Sequence, residues 1–236
     1  MREPEIWVPY CGAAPGPAEW WARWNGDPWL IAILFAAALL LRRGPRTAHL
    51  ALGVAAILFV SPFCALTSAM FAARAAHHFV LLAVLAPLIA WSLPVRAGGL
   101  AAWTAVSTLI LWIWHAPPLY AAALSHDTVY WLMQLSLLGS AVGFWRAVRA
   151  AAPPQAAAGL LAYMVQMGLL GALLAFSSFA FYAPHALTTV AWGMSPLADQ
   201  QLAGLIMWVP GAAAYLAAAI LLMRGMLVEP ARVTAA

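Results

Sequence analysis

The residues able to do chemistry are few, and they fall in short runs. His77 and His78 are adjacent, and Arg74 lies four residues before His78, on its face of a helix. His115 sits in WHAPPLY (residues 114–120), and His126 precedes Asp127. DQQLAGLIMWVPG (residues 199–211) carries Asp199, two glutamines and Met207. Imidazole, thiolate and thioether are the ligand set of copper, with the soft sulfurs favouring Cu(I). Each run also has a plain structural reading. Histidines at a membrane surface can be solvated by headgroups, WHAPPLY can be an aromatic belt, and Asp199 can cap the first turn of the helix it opens. Adjacent residues point about 100° apart on a helix, so at most one of His77 and His78 faces a given site. No nucleophile–base–orienter set is visible, which reads against an enzyme.

The elements that must position these residues follow from composition. Of 236 residues, 66% are hydrophobic and 8% charged, against about 25% charged in a soluble domain. Such a chain cannot cover a soluble surface, so a soluble enzyme, a disordered chain and a nucleic-acid-binding domain are excluded. All 11 basic residues are Arg. Without Lys there is no retinal Schiff base and no Walker phosphate loop. The expected fold is an all-α polytopic membrane bundle, with an outer tail (1–27), a seven-helix domain (28–226) and a cytoplasmic tail (227–236). A span needs about 20 apolar residues. The segments read as spans are 28–41, 47–61, 77–93, 100–114, 128–148, 156–181 and 200–223, the first two short. Breaker-rich stretches separate them, notably residues 61–74, 115–127 and 182–199, all read as outer connections. MREPEIWVPYCG lacks the apolar run of a signal peptide, so the first helix is expected to direct insertion.

Arginines set the orientation. Arg42, Arg43, Arg46, Arg96, Arg146, Arg149, Arg224 and Arg232 fall on one side of this map, and Arg2, Arg23 and Arg74 on the other. The positive-inside rule then puts the N-terminus outside and the C-terminus in the cytoplasm. His77, His78, His115, His126, His185, Asp199 and both cysteines all fall at the outer side. Cys11 and Cys64 can form a disulfide, bind Cu(I) or do neither. Gln134 and Gln166 lie within helices and are expected to face the bundle interior, because an amide in hydrocarbon needs partners. Gly139 and Gly143 form a GxxxG spacing read as packing within the bundle.

HHFVLLAVLAP (77–87), WHAPPLY and DQQLAGLIMWVPG occur in that order. With WNGDP (24–28), they make the chain resemble, over nearly its whole length, the CtaG family of cytochrome c oxidase assembly factors, seven-helix proteins of bacterial membranes. The resemblance implies a part in maturation of haem-copper oxidases through copper supply to the catalytic subunit. His78, His115 and Asp199 match the family's polar motif positions. Many members have a second His where this chain has Arg74, and a His pair where it has Tyr130 and Gln134.

Together these readings predict an assembly factor in the bacterial inner membrane. It would bind Cu(I) transiently through His78 and His115, aided by His77, His126 or Met207. Asp199 would position a ligand His or accept its ring N–H. The expected partners are haem-copper oxidase subunit I, the lipid bilayer and periplasmic copper chaperones, with no nucleic acid. The rivals are a metal-free scaffold for oxidase subunits and a small transporter or haem-handling protein.

Overall fold

The computed structural model describes residue 7, residues 9–95 and residues 98–228. Arg2, Arg96 and Arg232 lie outside them. Among the described residues the chain is all-helical. It runs α1 (Pro28–Leu40), α2 (Arg46–Phe59), α3 (Pro62–Ala69), α4 (Phe71–Ser92), α5 (Leu100–Trp114), α6 (Pro117–Ala123), α7 (Asp127–Ala150), α8 (Pro153–Ala175) and α9 (Pro196–Val228). Three of these, α4, α8 and α9, are long and apolar enough to cross a membrane. Two bent pairs, α2 with α3 at 46° and α5 with α6 at 79°, raise that number to five.

Seven helices overlap the seven expected segments, but two expected loops are helical. Residues 61–74 form α3 and the first turn of α4. Ser61 Oγ accepts from Phe63 N at 3.2 Å, and Pro62 occupies the first turn, where its missing N–H costs nothing. Residues 117–123 form α6 for the same reason: Pro117 and Pro118 end α5 but suit the first turn of a new helix. The third expected span therefore starts six residues early, at Phe71. His77 and His78 lie in its second turn and are buried rather than at a helix start facing headgroups. The last helix starts at Pro196, where Ser195 Oγ accepts from Ala198 N at 3.1 Å.

The start of α4 is fixed from across the fold. Both oxygens of Asp199 accept backbone N–H groups there, Phe71 N at 2.7 Å and Ala72 N at 3.0 Å. Asp199 is fully buried, so no water can replace it. Asp199→Ala is expected to cost about 2 kcal/mol, because it leaves two buried N–H donors unpaired. Denaturant unfolding of the purified protein measures that loss, and Asp199→Asn should restore part of it through its remaining oxygen.

Further along α4, Pro87 cannot donate to the preceding turn, and residues Leu81–Leu85 widen into a π turn. Ala86 N donates to Leu81 O, which frees Leu82 O to accept the Trp145 indole N–H at 2.9 Å. At the end of α4, Arg149 donates to Ala90 O and Leu93 O at 2.9 and 3.0 Å, and Arg146 to Pro94 O at 3.1 Å. Cations thus sit at this C-terminus, where the helix dipole favours them.

The Cys11–Cys64 disulfide ties the N-terminal segment to α3, with Cα atoms 5.4 Å apart. Nearby, Tyr10 donates to the Asp27 carboxylate that caps α1. That bond, with the capping N–H groups of Trp29 and Leu30, holds Asp27 below the usual carboxylate range. Gly143 of the GxxxG pair receives the Trp103 ring of α5, as packing within the bundle requires, whereas a Cβ at Gly139 would meet nothing within 4 Å.

Candidate metal site

Four helices converge on one small cavity. α4 supplies His78, the end of α5 supplies His115, α8 supplies Met167 and α9 supplies Met207. Leu82 and Leu111 are among the apolar residues that complete its wall. The free volume is about 10 Å³, room for about one water molecule or one ion. All four of these side chains are buried.

The His78 and His115 rings lie 6.2 Å apart, centroid to centroid, at 74° to each other. His115 Nδ1 lies 2.7 Å from Leu111 O. A carbonyl only accepts, so Nδ1 carries the proton and Nε2 carries the lone pair. Metal-binding histidines are oriented in this way. Both His78 ring nitrogens are buried and have no hydrogen-bond partner. An unsatisfied buried polar group costs about 1–3 kcal/mol, so this ring is one that a ligand bond would stabilise.

The thioethers are placed by glycines. A Cβ built at Gly211 would stand 2.3 Å from Met167 Cε and 3.2 Å from its Sδ, so the missing side chain leaves the room that Met167 fills. One turn beyond Met167, α8 and α9 touch backbone to backbone. A Cβ at Gly171 would stand 2.7 Å from Gly204 O, and one at Gly204 would stand 2.5 Å from Gly171 O. This close crossing brings Met167 and Met207 to the same cavity from two helices.

The family of cytochrome c oxidase caa3 assembly factors (Caa3_CtaG) matches residues 100–229, more than half of the chain. The chain belongs to this family. No curated protein and no solved structure is a match to it. A Caa3_CtaG protein acts on the oxidase complex during assembly, and the matched residues include His115, Met167, Asp199 and Met207. His78 reaches the same cavity from outside the matched region.

The other candidates of this Caa3_CtaG chain lie elsewhere. His77 turns away from the cavity. Its Nε2 lies 3.1 Å from Leu58 O, and its ring packs against Phe59 and Phe63 at 5.2 and 5.7 Å. His126 is exposed at the N-terminal cap of α7. Asp199 caps α4 through backbone N–H groups, not through an imidazole ring. The cysteines are oxidised to a disulfide, which removes them as thiolate ligands. Among the described residues no three His, Cys, Asp or Glu side chains come together; half of the cavity's donor set is thioether.

A second polar cluster lies against the first. Arg74, expected among the outer charges, is fully buried, with its Cζ 5.4 Å from the Tyr130 ring centroid. None of its nitrogens has a hydrogen-bond partner, and both amide atoms of buried Gln134 are unpaired as well. Arg74, Tyr130 and Gln134 are thus grouped on the facing sides of α4 and α7. The segment between α8 and α9 closes over this region. Tyr120 and His185 share a 2.6 Å hydrogen bond, and Tyr182 donates to His115 O at 2.9 Å. Burial, with the charge of Arg74, pushes His185 down to about 3, so it is neutral at physiological pH.

Met167 and Gln166 are where sequence reasoning fell short. Met167 is missed by it. Gln166 was expected to face the bundle interior, but it is half-buried on the wall of an open groove between α5 and α8, while Gln134 is inside.

Proposed function

We propose that this assembly factor accepts one Cu(I) ion in the His78–His115–Met167–Met207 cavity and passes it to the copper B centre of oxidase subunit I. The observation that carries this reading is the pairing of two buried imidazoles, one with its lone pair fixed by Leu111 O and one with no other partner, with two thioethers around room for one ion. Two nitrogens and two soft sulfurs favour Cu(I) over the harder divalent ions. A ring separation of 6.2 Å is what one ion between two imidazoles spans, with metal–nitrogen bonds of about 2 Å.

The same reading places seven crossings in a bacterial inner membrane, with the N-terminus outside. Arg42, Arg43, Arg46, Arg146, Arg149 and Arg224 mark the cytoplasmic side. The cavity belongs to the outer side, in reach of periplasmic copper chaperones and at the depth of a membrane-buried acceptor. Exchange is by ligand replacement, so no energy source is required.

The decisive test is the copper content of oxidase isolated from a strain lacking the gene. Oxidase that carries haem but lacks copper, with activity eased by added copper salts, is the expected result. Loss of the oxidase subunits themselves, unrelieved by copper, would favour the metal-free scaffold instead.

A further inference from the structure

A long apolar groove runs along the outside of the helical bundle. It lies between α5 and α8 and has a volume of about 1110 Å³. Ala101 and Ala105 line one wall, Ala158 and Ala162 the other, and no charged side chain lines it. Small residues four apart on each wall let another helix approach closely. Leu100 packs over Gly159 and closes one end.

Of the four polar side chains that line the groove, Thr104 donates to Leu100 O at 2.9 Å and Gln155 is exposed in the first turn of α8, so Gln166 and Thr108 decide what it takes. Gln166 lies about 20 Å along α8, near the middle of a span. Its amide is half-buried in the groove wall and makes no hydrogen bond among the described residues, and Thr108 faces the same space. Acyl chains offer nothing to an amide, whereas a helix bearing a polar side chain does. The groove's position is the second argument. Trp112 and Gln166 line it, and their chain neighbours Leu111 and Met167 line the metal cavity. Groove and cavity are the two sides of one α5/α8 seam.

We propose that the groove seats one transmembrane helix of the metal-accepting oxidase subunit, a helix with small residues on its contacting face and a hydrogen-bonding side chain opposite Gln166. This rests on the copper reading for its purpose, because the seated helix lies beside the donor cavity across one layer of side chains. It needs no mobile soluble carrier.

The test uses the full-length protein in membranes that contain copper-free oxidase. A photoreactive side chain at Ala105 or Ala162 is expected to crosslink to an oxidase membrane subunit. The same group at Leu132 or Leu135, exposed on α7 at 59% and 60%, is not. Crosslinks to phospholipid or to a second copy of this chain, or equal yields from both faces, would overturn the proposal. Ala105→Phe and Ala162→Phe fill the groove from exposed positions. They are expected to lower oxidase copper by about tenfold, or about 1.4 kcal/mol of docking free energy, while the purified protein binds Cu(I) as before. Unchanged oxidase copper would also overturn it. Wild-type protein that crosslinks from the groove but binds no Cu(I) would sink the copper reading and leave the docking site standing.

Discussion

Replacing His78 and His115 together by Ala is expected to take the purified protein from about one bound Cu(I) per chain to none. Competition titration against a chromogenic Cu(I) chelator reads this directly. The two imidazoles are the strong donors of the set, and two thioethers alone hold Cu(I) too weakly to compete. Met167→Leu and Met207→Leu keep the core volume and each removes one soft donor. Each is expected to weaken Cu(I) by about tenfold or more, the scale on which metal sites respond even to the loss of supporting groups. His77→Ala and His126→Ala should leave the affinity as it is, since His77 faces Leu58 O and His126 is exposed. Zn(II) should bind poorly to every form, because it prefers thiolate, imidazole and carboxylate ligands and only two imidazoles are present. A double histidine variant that binds Cu(I) like the wild type would remove this cavity from consideration.

The parts of this site legible in the sequence were those with unusual local chemistry. His115 was marked by the prolines after it, and Met207 by the acid and glutamines before it. His78 was marked by a His pair in a nearly charge-free chain. Asp199 reads locally as a cap of its own helix, but that helix starts three residues earlier, and the N–H groups Asp199 caps open α4, 127 and 128 residues away, where no local pattern could name them. Residues 61–74 read as a loop because Pro62 counts as a breaker, whereas it opens α3, and because the cap of α4 is not local. Met167 was hidden because a methionine in the apolar run MVQMGLL is ordinary core filler. One signal was present. Met167 precedes Gly171 by four residues, as Met207 precedes Gly211, and in the structure both glycines make room at the α8/α9 crossing. The burial of Arg74 is not legible, because a charge count gives a side of the membrane and says nothing of whether a side chain turns inward. The buried aromatic face of Tyr130 takes it in, and that surface exists only once α4 and α7 are packed.

Gly204→Ala is expected to be among the most damaging single-methyl additions in the chain. A Cβ at that position would stand 2.5 Å from Gly171 O and 2.6 Å from Ala175 N. Both are backbone atoms of α8, so no rotamer change relieves the overlap and the two helices must separate. Overpacking of this kind costs about 1–3 kcal/mol or more, and Gly204→Leu should prevent folded protein from accumulating. Gly139→Ala is the matched control. It adds the same methyl to a helical glycine with nothing within 4 Å, and should gain up to about 1 kcal/mol from helix propensity. The comparison also tests how the site is built. Met207 lies one turn after Gly204, and Met167 one turn before Gly171, so separating the glycines draws the two sulfurs apart. His78 and His115 sit on other helices and keep their 6.2 Å spacing. The Ala variant should therefore hold Cu(I) with the imidazoles alone, at lower affinity and with less sulfur in its X-ray absorption spectrum, while Gly139→Ala matches the wild type in both. Equal stability of the two variants would mean that the glycine crossing does not set the distance between α8 and α9. Normal sulfur ligation in a destabilised Gly204→Ala protein would mean that the methionines reach the ion by their own flexibility.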